Sequence, residues 1–450
     1  MELGVQKIGD ESLLGYVLVN LAVDFGKSQS KSIYPQDALI RRLFGQRPTF
    51  SLHLRLIKKL MRYYSLVLSI LLFSCSDSLE ETVPAPDLYT ETKKALSINP
   101  VVLDNYAAQG KPAYVNKDNT AANPITDKAA TLGRVLFYDK NLSVNNTISC
   151  ASCHKQEFAF GDTAVSSLGV DNGRTERHSM RLINTRYANE AKFFWNERAA
   201  SLEAQVTMPI VDHLEMGFSG QTGRGNITTL ITKLGGIGYY KELFKLAYGD
   251  ATITEARMQT ALAQFIRSIQ SFDSKYDLGR AQAPNDWAPF PNFTAQENAG
   301  KNLFLAPPIF NAASVRIGGG FGCQGCHQAP EFDIDPNSRN NGFIGVIGSA
   351  QTDLTNTRSP SLRDILNAAG IANTPFMHTA ASATIRQVLA HYNSIANPAR
   401  NTNLDPRLRP NNIGQNLQMT PDEINAMVAF LRTLTGKDVY TNKKWGNPFL

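Results

Sequence analysis

Four of the five cysteines in this chain belong to two copies of one short motif. In each copy two residues separate the thiols, and a histidine follows the second thiol directly. Two intervening residues make about one turn of chain, so both sulfur atoms and the imidazole face the same side. Any fold of the chain has to build a binding site around each of these groups. The copies are Cys150-Ala-Ser-Cys153-His154 and Cys323-Gln-Gly-Cys326-His327.

The pattern C-x-x-C-H is the attachment signature of a c-type haem. The thiols reach two vinyl groups on one edge of the porphyrin, and the following imidazole ligates the iron. A zinc site built from four cysteines, or a thioredoxin-like redox pair, would leave both histidines unexplained. The sequence therefore predicts two covalent haems. The attachment residues are Cys150, Cys153, Cys323 and Cys326, and the iron ligands are His154 and His327.

The fifth cysteine, Cys75, ends a segment typical of a lipoprotein signal peptide, residues 61–75. Basic residues precede an apolar run, 65–74, that is too short to span a bilayer. We expect Cys75 to be lipidated, with 76–97 as a tether and 1–60 as a mis-assigned upstream leader. A buried apolar helix with a free thiol is the alternative. The prediction is an exported, periplasm-facing lipoprotein of the cell envelope, held at the membrane by its lipid alone; exposure on the cell surface stays open.

The rest of the chain shows helical periodicity, long loops and no strand pattern. Capping signals at Thr252–Glu255, Thr294–Glu297 and Thr420–Glu423 predict helix starts. The fold class predicted is all-α, with two cytochrome c-like helical domains that each carry one covalent haem. They would span residues 98–280 and 281–445, and their shared plan suggests a duplication. The segment 311–322, before the second motif, is expected to be an exposed loop.

Charge excludes one class of partner. The formal net charge of +6 comes mostly from residues 1–74, and the remainder is almost neutral. Without a basic stripe we expect no binding to nucleic acid.

Four runs of the sequence carry a resemblance to a known family: LGRVLFYDKNLSVNNTISCASCH (132–154), FFWNERAASLEAQVTMPIVDHLEMG (193–217), RSPSLRDI (358–365) and PFMH (375–378). They resemble the bacterial dihaem cytochrome c peroxidases, a family that includes the dihaem enzymes that mature methylamine dehydrogenase. The resemblance covers roughly residues 95–440.

The resemblance implies roles for particular residues. The N-terminal haem, on His154, would be the peroxidatic one, and the C-terminal haem would transfer electrons. Gln205 and Glu215 match the distal residues beside the peroxidatic iron, with Pro209 between them. Trp195 matches the tryptophan between the two haems.

The sequence also departs from the family. No histidine occurs between Lys155 and Arg177, where classical members have a loop ligand, so we expect an open N-terminal haem. Tyr392 stands where the peroxidases have the methionine ligand of the second haem. A tyrosine at this position resembles the methylamine dehydrogenase-maturing enzymes. The adjacent His391 could compete with it for the iron. His178 aligns with an asparagine that binds calcium between the domains, which leaves calcium open.

The function predicted is reduction of hydrogen peroxide to water, with electrons from a small cytochrome c or a cupredoxin. The alternatives are a dihaem oxidant of a protein or small-molecule substrate, favoured by Tyr392, and a non-catalytic dihaem electron carrier. A homodimer is left open. His213 and His378 are expected to have packing roles.

Overall fold

In the computed structural model, which describes residues 88–189, 192–395 and 400–450, helices form most of the regular structure. Most of these helices begin where a Ser, Thr or Asn side chain caps the first turn. The predicted leader, the signal peptide with Cys75 and most of the tether lie outside the described residues. Among the described helices, none is both long and apolar enough to cross a membrane. The helices are α1 (Thr90–Ala95), α2 (Asp127–Tyr138), α3 (Cys150–Cys153), α4 (Leu202–Val211), α5 (Ile227–Gly235), α6 (Gly238–Tyr248), α7 (Glu255–Ser268), α8 (Lys275–Arg280), α9 (Ala295–Leu305), α10 (Ile385–Asn393) and α11 (Pro421–Arg432).

The predicted helix starts are confirmed at two of three positions. Thr294 and Thr420 cap α9 and α11 through reciprocal capping boxes. At α7 the cap is Thr254, whose side chain accepts a hydrogen bond from the backbone N–H of Arg257, so the predicted cap at Thr252 is wrong by two residues. Residues 88–97 differ from the predicted tether, because they contain α1 and the buried Leu96.

Two helix crossings set the framework around the cysteine motifs. In the first, α2 packs on α7 with Gly133 at the contact: a Cβ there would lie 2.0 Å from the carbonyl oxygen of Ala261 and 2.8 Å from Cβ of Phe265. The turn α3, which carries the first motif, packs against α2. The glycine thus lets two backbones approach closely beside the motif.

The second crossing repeats this contact. Helix α9 packs on α11, where a Cβ on Gly300 would lie 2.0 Å from the carbonyl oxygen of Ala426 and 2.8 Å from Cβ of Phe430. The turn that begins at Cys323 packs against α9. The same glycine, alanine and phenylalanine contact in both crossings agrees with a duplicated helical unit.

The buried apolar residues form two clusters. One contains residues between Leu96 and Ile269, together with Val439 and Trp445 from the C-terminal segment. The other contains residues between Tyr276 and Leu434. The C-terminal segment therefore returns to the first cluster, and the division into domains at 280/281 stays a prediction.

Three two-stranded antiparallel sheets lie between residues 308 and 352. The prediction of a wholly helical chain is wrong here, because strands of two to four residues are too short to show alternation. The expected loop at 311–322 instead contains a strand, and a Cβ on Gly320 would lie 2.4 Å from the carbonyl oxygen of Leu303. The paired strands are β1 (Pro308–Phe310) with β2 (Arg316–Gly319), β3 (His327–Gln328) with β4 (Asp333–Ile334), and β5 (Gly345–Val346) with β6 (Ser349–Thr352).

The close crossing at Gly133 predicts how one added methyl group changes the stability of the protein. Gly133→Ala should lower the free energy of unfolding by about 1–3 kcal/mol, since the new Cβ meets backbone rather than a movable side chain. The matched control is Gly235→Ala at the end of α5, where nothing lies within 4 Å of the new Cβ. The control should leave stability unchanged or raise it by up to about 1 kcal/mol. Denaturant unfolding of the haem-loaded proteins measures both; equal stability of the two variants would contradict the close crossing.

Candidate haem sites

The first cysteine motif lines a cavity of ≈ 340 Å³, called here the first cavity. Cys150, Cys153 and His154 contribute to its wall, and so do Gln205 and Glu215. Glu215 lies far from this motif in the sequence, with a whole helix in between, and the fold brings the two together. The structure thus places the two predicted distal residues in the same cavity as the predicted proximal ligand.

The turn α3 presents the motif side chains to this cavity. Ser149 caps it through a reciprocal pair with Ser152, and the backbone N–H of His154 donates to the carbonyl of Cys150 at 2.9 Å. The imidazole Nδ1 of His154 lies 3.1 Å from the carbonyl oxygen of Phe160, to which it donates. That bond fixes the tautomer in which Nε2 carries the lone pair for a metal. Burial lowers the pKa of His154, which favours the neutral, metal-binding ring.

The second motif lines a cavity of ≈ 750 Å³, called the second cavity. Cys323, Cys326, His327 and Tyr392 all contribute to its wall. Nδ1 of His327 donates to the carbonyl of Pro360 at 3.0 Å, and burial lowers the pKa of this ring to about 4. The second histidine is therefore oriented in the same way as the first.

The residues of both cavities fit covalently attached haems. Each cavity joins two thiols to one neutral imidazole whose Nδ1 is bonded to the backbone. Burial raises the pKa of the Cys150 and Cys323 thiols to about 12. Both volumes lie in the usual range of cofactor pockets, about 300–1,000 Å³.

Trp195 lies in the wall that the two cavities share. Its indole Nε1 donates to the carbonyl of His178 at 2.6 Å, and its ring centroid lies 6.3 Å from that of His378. The family resemblance implies a position between the two haems for Trp195, and this position stays a prediction. The residues that line both cavities are His178, Ser179, Met180, Arg181, Trp195 and Arg358.

Gln205 lies on α4, whose first turn is capped by Ser201. Pro209 is inside this helix and has no N–H to donate to the carbonyl of Gln205, four residues earlier. The helix nevertheless continues to Val211, and Asp212 is its C-cap. The carbonyl of Pro209 accepts a hydrogen bond from the backbone N–H of Met216 at 3.2 Å, which joins the last turn of the helix to the segment that carries Glu215.

Glu215 is held by the turn that follows α4. Asp212 Oδ1 accepts hydrogen bonds from the backbone N–H of Leu214, at 2.8 Å, and of Glu215, at 3.0 Å. Gly217 closes the turn with φ +85°, and its N–H donates to the carbonyl of Asp212. Burial, with a further contribution from the Asp212 carboxylate, raises the pKa of Glu215 to about 7, although Arg198 opposes the shift. The carboxyl group can therefore exchange a proton near neutral pH.

Tyr392 and His391 on α10 have different surroundings. The hydroxyl of Tyr392 accepts a hydrogen bond from Asn341 Nδ2 at 3.3 Å, and burial raises its pKa. Nε2 of His391 donates to the backbone carbonyl of Asn341 at 3.0 Å, and this ring is not part of the cavity wall. Of these neighbours, only the tyrosine is placed to face a haem in the second cavity.

Sequence reasoning missed several residues of the two walls. His213, expected to have only a packing role, lines the first cavity and bonds Ser219 Oγ at 2.9 Å through Nδ1. His378, also expected to have a packing role, is buried and lines neither cavity, and its Nε2 donates to the carbonyl of Gly345 at 3.0 Å. Arg181 and Arg358 line both cavities. Arg358 begins the run 358–365 that resembles the peroxidases, but the sequence assigns no role to either arginine, because only the fold brings their positions together.

The comparisons with known proteins agree with this geometry. Residues 127–283 match the family described as di-haem cytochrome c peroxidase, which confirms the predicted resemblance. The methylamine utilization protein MauG of Methylophilus methylotrophus is 26% identical over 70% of this chain and 84% of its own length. The cytochrome c551 peroxidase of Nitrosomonas europaea is 27% identical over 70% of this chain and 82% of its own length.

A solved structure has a similar fold. It is a MauG-like protein associated with microbial copper homeostasis, with a TM-score of 0.57 and 25% sequence identity. The similarity covers 75% of this chain and 98% of that chain. The family implies two c-type haems, for which the two cysteine motifs and their cavities supply the residues.

The turn around Glu215 leads to a prediction about its proton. Asp212→Asn keeps an oxygen acceptor for the two backbone N–H groups and removes the negative charge. The pKa of Glu215 should therefore fall from about 7 toward its ordinary value. Infrared difference spectra of the carboxyl band against pH measure this, with Glu215→Gln identifying the band. An unchanged titration midpoint would show that the Asp212 charge does not act on Glu215.

Proposed function

Because the chain is a relative of the di-haem cytochrome c peroxidases, we propose that it reduces hydrogen peroxide to water in the first cavity. The electrons would come from a small cytochrome c or a cupredoxin. The observation that carries the proposal is the position of Glu215, with its pKa near 7, in the same cavity as His154 and Gln205. An electron carrier needs no proton-exchanging group beside its haem.

The chain's own residues supply the proton chemistry. A haem held by Cys150, Cys153 and His154 would bind peroxide at its iron and supply electrons to it. The ionised carboxylate of Glu215 accepts the proton from the oxygen nearer the iron and returns it to the farther oxygen, which leaves as water. Gln205 donates an amide hydrogen bond to orient the peroxide. Two electrons and two further protons complete the conversion to two water molecules.

The shared wall supports a route for electrons between the sites. Trp195 is part of both cavity walls, and its N–H is fixed by the carbonyl of His178. An aromatic side chain in this position shortens the distance that each electron has to cross. Export and the lipid anchor at Cys75, the choice of electron donor and a homodimer remain part of the proposal.

Glu215→Gln tests the proposed role directly. The amide keeps the shape of the side chain but cannot accept the proton, so the rate of reaction with peroxide should fall about 10²–10⁴-fold. In the wild-type protein this rate should rise as the pH increases through about 7, because Glu215 has to be ionised. Stopped-flow absorbance in the Soret band measures both effects.

The control for this experiment is Glu157→Gln, an exposed residue outside both cavity walls. It should react at the wild-type rate and with the wild-type pH profile. If Glu215→Gln also keeps its rate with full haem content, Glu215 is not the proton acceptor.

A second function, oxidation of a protein or small-molecule substrate, is favoured by Tyr392 in the second cavity. A phenolate ligand stabilises the oxidised haem and would make it a poorer entry point for electrons. The related MauG of Methylophilus methylotrophus is a methylamine utilization protein. The oxidised protein that forms with peroxide distinguishes the two functions. If reduced cytochrome c accelerates the decay of this oxidised form, the peroxidase is supported. If reduced cytochrome c does not change the rate of decay, the oxidant is supported.

Tyr392→Phe tests the ligand itself. Loss of an anionic oxygen ligand should change the spectrum of the C-terminal haem and raise its reduction potential, while the N-terminal haem stays unaltered. His391→Gln is the control, because this ring is not part of the cavity wall and bonds the backbone carbonyl of Asn341 rather than the side chain that donates to Tyr392. Spectropotentiometry measures the effect; an unaltered C-terminal haem in Tyr392→Phe would exclude phenolate ligation.

A further inference from the structure

Arg181 is a cation in the wall between the two cavities. Its guanidinium donates to Thr374 Oγ1 at 3.2 Å and to the backbone carbonyl of Ser361 at 3.0 Å. Both of these partners are neutral, and among the described residues its Nε is buried without a hydrogen-bond partner. The carboxyl group of Asp364, which is buried nearby, favours the charged form of Arg181. Burial lowers the pKa of Arg181 only to about 10, so the group remains charged at neutral pH.

The contacts of Arg181 reach the segments that orient both proximal histidines. Ser361, which accepts one of its hydrogen bonds, directly follows Pro360, whose carbonyl accepts from His327. On the other side, a Cβ on Gly161 would come within 2.7 Å of Thr374 and 3.0 Å of the Arg181 stem. Gly161 directly follows Phe160, whose carbonyl accepts from His154. One positive side chain thus lies between the two loops that hold the iron ligands.

The residues of this wall do not suit calcium, which the family resemblance left open. Calcium takes six to eight oxygen ligands from carboxylates, from amide and backbone carbonyls and from water. The expected ligand position is His178, which offers nitrogen, and its Nδ1 already bonds the carbonyl of Ala164 at 2.9 Å. Among the described residues, no three acidic, histidine or cysteine side chains converge to hold a metal ion. The guanidinium of Arg181 also lies close enough to disfavour a positive charge on His178.

A second guanidinium makes a divalent ion still less favourable. Arg358 lines both cavities as well, and it lies 3.7 Å from the carboxylate of Asp333. A calcium ion in this wall would have to approach two arginines whose Nε atoms are buried, and charges of the same sign repel strongly away from water.

We propose that Arg181 replaces calcium in this chain: its guanidinium is the permanent positive charge between the two haems and links the loops that orient His154 and His327. The group is a positioning residue and reaches both irons through their ligands. The inference rests on the two haem sites but not on the peroxidase activity, so each can fail without the other.

The first test uses the wild-type holoprotein. Metal analysis after extensive dialysis should give two irons and far less than one calcium per chain. Addition of calcium, or of the chelator EGTA, should change neither the haem spectra nor the thermal midpoint. One equivalent of calcium, or a spectral change with EGTA, would overturn the proposal.

The second test separates the charge from the packing. Arg181→Gln should lower the reduction potentials of both haems, since a nearby positive charge stabilises the reduced state, while Arg181→Lys should stay close to wild type. Arg134→Gln is the control: Arg134 is also buried and donates to backbone carbonyls, but it lines neither cavity. Unchanged potentials in Arg181→Gln, or equal shifts in the Gln and Lys variants, would contradict the proposal. If Arg181→Gln does not take up haem, the calcium content and the EGTA response of the wild type and of Arg181→Lys decide whether the proposal holds.

Discussion

The close approach of backbone to backbone at the two helix crossings is the constraint on which the haem sites depend. Gly133 and Gly300 leave no room for a side chain, so α2 and α9 lie directly on α7 and α11. Each cysteine motif packs against the first helix of its crossing. A shift of either crossing would therefore move the thiols and imidazole that have to meet one porphyrin. A haem at either site would need two bonds to the thiols and one bond from the imidazole to its iron, so the relative positions of these three side chains matter.

Within this framework, burial prepares histidine and glutamate side chains for different chemistry. The imidazoles of His154 and His327 lose affinity for protons and are bonded to backbone carbonyls through Nδ1, which suits them to ligate iron. The same desolvation makes the carboxyl group of Glu215 hold its proton up to about pH 7. A low local dielectric thus prepares a neutral ligand on one residue and a proton carrier on another.

The wall between the cavities combines the two sites. Trp195 supplies an aromatic ring to it, and Arg181 supplies a positive charge. Residues distant in the sequence, such as Thr374 and Ser361, fix the guanidinium. An electron that moves between the haems would therefore pass a region whose positive charge comes from the Arg181 side chain and not from a bound ion.

The sequence alone identified the two C-x-x-C-H motifs through their spacing, the resemblance to the di-haem cytochrome c peroxidases, and several helices through their capping signals and periodicity. Gln205 and Glu215 could be named from the resemblance, and the fold then places them in one cavity. Only the tertiary structure decided the raised pKa of Glu215, the separation of His391 from the second cavity and the position of Arg181. These depend on burial and on neighbours far away in the chain, and the short strands depend on pairing that no local pattern records.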